Sequence, residues 1–300
     1  MTSYDLQALN RTFALPGQLS FQQTADGLAV AKIANAHARA SIFLQGAQLT
    51  EWTPHGQAPV IWLSPAAQFI EGKAIRGGVP VCWPWFGGHA SEPGFPAHGY
   101  ARTSPWEVLE TAALEDGTTR LSLRLPPNPA LWPHNTPLEI RLSVGKTLEI
   151  ELRTRNQGTE TVVLGQALHT YFKVADVRRI AILGLDGCPY IDKLDGAGKR
   201  QAGPVGVAGE VDRVYLEVGG DCWIEDAGLG RRIRIGKRGS ASTIVWNPWI
   251  EKAAQLGDLG EDGYLGMVCV ETANAALDTV SLAVGEEHRL AAVYSVEALP

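Results

Sequence analysis

Three short signatures lie far apart in the chain: Arg76-Gly-Gly-Val-Pro running on to His98-Gly-Tyr-Ala-Arg102, then His169-Thr-Tyr-Phe172, then Cys269-Val-Glu271. Together they supply two arginines, two histidines and a carboxylate, in a chain that also offers Trp83, Trp85, Phe86, Trp246 and Trp249 as pocket aromatics. Guanidinium forks hold phosphate bidentately, and a histidine with a carboxylate can pass protons between a hydroxyl and a ring oxygen. With aromatic faces to stack on a pyranose, the set suits a sugar phosphate.

Each signature also has a plainer reading. Arg76 precedes Gly77-Gly78 and the stiff run Val79-Pro-Val-Cys-Trp-Pro-Trp-Phe-Gly87, where glycines permit close backbone approach and prolines fix the loop; alone it reads equally well as a surface arginine beside a turn. His98 and Arg102 sit four residues apart in loop or extended context, and a lone histidine is usually a hydrogen-bonded structural residue. His89 and His98 lack the close spacing of a metal motif, so no metal is expected. In a strand, His169, Tyr171 and Lys173 would share one face and Leu168, Thr170 and Phe172 the other. Glu271 ends the apolar run Met267-Val-Cys-Val270, and a carboxylate adjoining a buried strand must be hydrogen-bonded or functional. Desolvation would raise its pKa and nearby arginines would lower it. Asp212, in Asp212-Arg-Val-Tyr215, orients a ligand or makes a turn. The tryptophans serve equally as core.

The elements that must position these residues read as strands. Alternating or β-branched runs recur at 28–33, 40–44, 121–125, 138–144, 148–155, 161–172 and 280–296, with a hairpin at Val144-Gly-Lys-Thr147 and a turn at Asn156-Gln-Gly158. The expected fold class is all-β: a large antiparallel sandwich with few short helices, in a single domain spanning 1–300. The Pro-rich stretch 64–105 and the Gly-rich stretch 184–209 resist strand assignment, and long irregular connections are often functional.

A chain of 300 residues with 45% hydrophobic content can bury a large core, and 19% charged residues with 33 Gly and 18 Pro favour a turn-rich β fold. The net charge of -6 offers no basic field for nucleic acid or a membrane surface, so neither is expected as a partner and an anionic substrate needs local arginines. Cys82, Cys188, Cys222 and Cys269 are widely spaced and read as buried free thiols. Neither a targeting segment nor a run long enough to span a bilayer is recognisable, which gives a soluble, cytoplasmic expectation.

At IRGGVPVCWPWFG, HGYAR, ALHTYF, the Asp-Arg-Val-Tyr segment, VWNPW and GDLGEDGYLGMVCVETAN, the chain resembles the D-hexose-6-phosphate mutarotases (glucose-6-phosphate 1-epimerases) of the galactose mutarotase-like superfamily. The stretches keep the family's order from about Ile75 to Asn274. The resemblance implies a β-supersandwich with an open concave face for the sugar, His169 and Glu271 as the catalytic pair, Arg76 and Arg102 at the phosphate, His98 as the second histidine and Asp212 as a substrate-binding aspartate. Some members carry glutamine before the His-Gly pair, where this chain has Ala97.

The resulting expectation is cofactor-free interconversion of the anomers of a hexose 6-phosphate, by a monomer or weak oligomer, with Glu271 as base and His169 as acid. Alternatives are a non-catalytic carbohydrate-binding or sugar-sensing sandwich, for which Glu271 is dispensable, and an aldose 1-epimerase acting on unphosphorylated sugar. A glycoside hydrolase would need two carboxylates flanking the bond, where a His/Glu pair and the loosely placed Asp212 are found.

Overall fold

A computed structural model describes residues 4–299. Two eight-stranded antiparallel sheets dominate it, with a four-stranded sheet formed by Leu19–Gln23, Ala29–Ala34, Ala38–Phe43 and Gln48–Pro54, and a two-stranded one pairing Val162–Leu164 with Val280–Leu282. Among the described residues the α-helices are short, Leu6–Phe13 and Trp249–Leu256. No helix among the described residues is long and apolar enough to cross a membrane.

One large sheet carries the predicted hairpin. Leu138–Val144 and Leu148–Arg155 pair around the turn, and both bury every second residue, as strands with one face on a core and one towards solvent must. The long strand Glu287–Ala298 lies between Leu148–Arg155 and Arg231–Arg238 in that sheet.

The other large sheet runs in the order Gly198–Arg200, Pro189–Asp192, Val211–Tyr215, Ser242–Asn247, Met267–Asn274, Gln166–Leu168 and Val81–Cys82, with Tyr171–Lys173 as its eighth strand, also paired with Met267–Asn274. Its central strand Met267–Asn274 is buried along its whole length, so both faces are covered. Val268 and Val270 join the principal core with Leu168, Val245 and Tyr215, while Met267, Cys269 and Ala273 point to the opposite face. That second face forms the floor of a cleft.

Two sequence expectations change. The single run expected over 161–172 is cut into Val162–Leu164, Gln166–Leu168 and Tyr171–Lys173. The Gly-rich stretch 184–209 is partly strand, because Pro189–Asp192 and Gly198–Arg200 pair as a hairpin at the sheet edge. The Pro-rich stretch 64–105 is irregular except for Val81–Cys82 and a single 3₁₀ turn, Ala101–Thr103.

Candidate active site

The register of the central strand sets the geometry. Gln166–Leu168 and Tyr171–Lys173 pair with Met267–Asn274 in one continuous register, Leu168 opposite Thr272 and Tyr171 opposite Cys269. The interruption between them therefore falls at His169 and Thr170, and places His169 across from Glu271. Directly opposed residues in an antiparallel pair have Cβ atoms about 4.5–5.5 Å apart, and His169 Nε2 lies 3.4 Å from Glu271 Oε1.

The break is held from behind. His169 N–H donates to the Pro80 carbonyl at 3.0 Å instead of to the ladder, and Thr170 N–H turns back to Leu168 O at 2.8 Å. The Thr170 hydroxyl meets the Tyr294 hydroxyl at 2.6 Å in the core, where Tyr294 also packs edge-on to Phe172. His169 and Tyr171 take the other side, their rings stacked at 5.0 Å and 13°. The alternation expected for this segment thus survives the break.

On the neighbouring strands the same parity faces the cleft. Trp246 lies opposite Cys269, Asp212 opposite Trp246, and Ile244 opposite Glu271. The edge of Trp246 meets the His169 and Tyr171 rings, each at 5.9 Å. Above this floor, Arg76 donates from Nε to Asp258 Oδ1 at 2.9 Å and from Nη1 to the Tyr171 hydroxyl at 3.2 Å. Gly77 and Gly78 both have positive φ, and a Cβ on Gly77 would sit 2.7 Å from the Trp62 carbonyl oxygen, so the loop carrying Arg76 can lie this close to the neighbouring backbone only with glycine there.

His98 has a φ of 66°, unusual for a residue other than glycine, and its N–H bonds to Gly87 O at 2.6 Å. Gly99 follows in the same region, where a Cβ would run into the Trp83 carbonyl. The His98 ring stands 5.8 Å from that of His169, and its Nδ1 accepts the Gly87 N–H at 3.3 Å, which leaves Nε2 as the protonated nitrogen. Arg102, on the 3₁₀ turn, donates to Ala97 O at 2.9 Å.

The cleft so formed has a volume of about 390 Å³, and Arg76, His98, Arg102, His169, Asp212 and Glu271 all line it. Phe86 and Trp246 line it too. The other expected aromatics lie elsewhere: Trp83 is buried against Tyr100 and Trp132, Trp85 packs on Phe95 and His89, and Trp249 packs on Tyr264. Large aromatics on the core face of a loop or helix gain more from burial than from lining a wet cleft.

Four contributors were not singled out as site residues from the sequence. Tyr171 had a signal, since it shares parity with His169. Lys193 projects from the edge hairpin and Lys252 from the helix Trp249–Leu256, and each ammonium approaches Asp212 Oδ2, at 3.8 Å and 3.9 Å. Asp258, which holds Arg76, arrives from 182 residues away. Nothing local in the sequence marks Lys193 or Lys252, and Asp258, though inside the GDLGEDGYLGMVCVETAN stretch, carries no local sign of pairing with Arg76.

Burial governs the electrostatics. Glu271 is 1% exposed and His169 9%. Desolvation raises the Glu271 pKa well above the carboxylate range, with Asp212 adding to the rise and Lys193 and Arg102 opposing it. The same burial, with His98, Arg102 and Arg76, drives His169 well below its ordinary value. His98 is pushed down to about 3 by burial and by Arg102, Lys193 and Arg76. Burial also raises Asp212, against Lys193 and Lys252. Both shifts favour the form of the His169–Glu271 pair in which imidazole and carboxyl are uncharged.

Donor atoms of His169, Cys269 and Glu271 lie within 4.8 Å of one another, which among the described residues is the grouping that could hold a metal ion. Burial and Glu271 hold the Cys269 thiol protonated, well above its ordinary pKa, so a metal there would have to displace protons from both thiol and carboxyl.

Comparison with known proteins agrees with this fold. The aldose 1-epimerase family profile matches residues 30–295. An Escherichia coli protein named "putative glucose-6-phosphate 1-epimerase" is 38% identical over 278 residues, covering 89% of this chain and 92% of its own. A Cenchrus ciliaris protein of the same name is 32% identical over 273 residues, covering 83% and 79%. The crystal structure of a "putative mutarotase" from Salmonella typhimurium superposes with a TM-score of 0.89 at 35% identity over 96% of both chains. With a cleft of this construction on this fold, the chain belongs to the aldose 1-epimerase family.

Proposed function

We propose that the chain interconverts the α and β anomers of glucose 6-phosphate or a closely similar hexose 6-phosphate. The observation that carries this reading is the buried His169–Glu271 pair at 3.4 Å on the floor of a cleft whose walls present Arg76, Arg102, Lys193 and Lys252. A pair of this kind can exchange protons with two oxygens of one ring, and the cations suit a substrate that carries a dianion. The names of the Escherichia coli and Cenchrus ciliaris relatives support the same substrate.

Ring opening requires Glu271 to take the C1 hydroxyl proton as the O1 lone pair forms the carbonyl. The C1–O5 bond breaks, and O5 accepts a proton from His169. Rotation about C1–C2 exposes either face of the aldehyde, and the reverse transfers close the ring. The pair ends each cycle with its single proton restored, so no cofactor is consumed. His98, held neutral with its Nε2–H towards the cleft side, serves as a hydrogen-bond donor to sugar oxygen. Asp212 accepts from sugar hydroxyls between its two lysines.

General acid–base assistance is worth about 10²–10⁴-fold, a useful acceleration for a reaction that also runs unaided in water. The test is anomer exchange of glucose 6-phosphate followed by NMR or polarimetry with purified protein. Exchange no faster than in buffer, across several hexose phosphates, rules the function out.

A further inference from the structure

The proposed roles leave one physical question. Glu271 can act as a base only when the shared proton sits on His169, yet the surroundings of the pair favour the opposite placement. The titratable groups around the His169 ring are Arg76, Arg102, the neutral His98 and Glu271, with Asp258 paired to Arg76 and Asp212 between Lys193 and Lys252 beyond. The excess is cationic, and it opposes an imidazolium.

Arg76 is bound to this ring through structure. Its Nη1 donates to the Tyr171 hydroxyl at 3.2 Å, and Tyr171 lies flat on His169 at 5.0 Å and 13°. Through that stack Arg76 sits on the histidine side of the pair and adds to the field that disfavours an imidazolium there, while Arg102 bears on both partners. An anion on Arg76 therefore acts more on the histidine than on the carboxyl. The substrate has the matching asymmetry: a phosphate on C6 is closer along the covalent frame to the ring oxygen, which His169 protonates, than to the C1 hydroxyl.

We propose that the phosphate is an activator of the acid–base pair as well as a handle: an oxyanion seated on Arg76 and Arg102 moves the shared proton from Glu271 to His169, so that a free tetrahedral dianion makes this chain a mutarotase of unphosphorylated hexoses. The proposal rests on the mutarotase reading above. It needs no bond to form between dianion and sugar, and no atom of the anion enters the reaction. Binding energy at a remote group is thereby converted into turnover, not affinity alone.

Sulfate is the probe, because it is tetrahedral and dianionic but too weak a base to catalyse mutarotation in solution. With ionic strength held constant by sodium chloride, saturating sulfate should raise kcat for glucose about tenfold, the equivalent of one pKa unit. The same sulfate should inhibit glucose 6-phosphate competitively. Arg76→Ala should abolish the stimulation, and the ¹⁵N resonances of His169 should move towards the imidazolium pattern as sulfate binds. Sulfate that competes with glucose 6-phosphate but leaves glucose turnover flat or lowered, or a His169 ring that stays neutral with sulfate bound, overturns the proposal while the mutarotase reading stands. Stimulation of equal size in Arg76→Ala overturns it as well. Absence of any exchange with glucose 6-phosphate is the separate result that defeats the parent reading.

Discussion

Burying an isolated carboxylate costs several kcal/mol, which the protein avoids here by giving Glu271 and His169 one proton between them. The neutral pair is cheap to bury, and its ionic form lies one short proton transfer away. Glu271→Gln keeps the size and a hydrogen-bonding edge but cannot exchange the proton, and His169→Asn removes the partner. Each should lower anomer exchange by about 10²-fold or more with the fold intact. A folded variant with near wild-type exchange would remove that residue from the mechanism, and ligand binding without exchange in the parent protein would favour the binding-only reading. Arg76 and Arg102 address a different quantity. Losing a charge-assisted contact is worth about 1.5–3 kcal/mol, or roughly 10- to 100-fold. Arg76→Ala and Arg102→Ala should therefore weaken kcat/KM for glucose 6-phosphate far more than for glucose; equal losses on both would assign these arginines to the loop or the sugar ring.

Strand parity made the His169 side of the site legible in the sequence, since His169 and Tyr171 share one face. Glu271 is marked only as the carboxylate that ends an apolar run; all four residues before it are apolar, so it takes the fold to show that Val268 and Val270 face the principal core while Met267, Cys269 and Glu271 face the cleft side. Lys193, Lys252 and Asp258 were illegible because they reach the cleft by tertiary packing across a sheet edge, a helix and a long connection, none of which leaves a periodic trace. The misplacement of Trp83, Trp85 and Trp249 has a related cause: proximity in sequence to a site loop does not say which side of the loop a ring takes. The interruption at His169–Thr170 could not be read either, since its anchor is Tyr294, 124 residues away. Tyr294→Phe leaves the Thr170 hydroxyl only its 3.2 Å bond to Leu168 O. Loss of one buried hydrogen bond should cost about 1–2 kcal/mol by denaturant unfolding. It should also lower kcat, because the segment that aims His169 loses its tie, with KM for glucose 6-phosphate little changed. A stability loss with kcat intact would mean that the Pro80 and Tyr171 contacts suffice to aim the ring.

Across the whole molecule, a net charge of -6 coexists with a cleft walled by cations, and this asymmetry has a consequence for stability as well as for substrate capture. His98 is held neutral, its pKa pushed down to about 3 from an ordinary value near 6.5. A histidine depressed on folding binds fewer protons in the native than in the unfolded chain throughout that interval. Stability from His98 is thus fully present above about pH 6.5 and is progressively lost as pH falls towards about 3, where the native protein would finally accept the proton. His169, lowered for the same reason, adds a loss of the same sign. His98→Asn tests the account, since asparagine tolerates the positive φ at this position and can still accept the Gly87 N–H, but does not titrate. Urea unfolding should show the wild type losing stability steadily from pH 6.5 down to about pH 4, and the variant losing less over the same range. Parallel wild-type and variant curves would show that His98 titrates alike in both states, and that burial and the arginines and lysine around it do not hold it neutral.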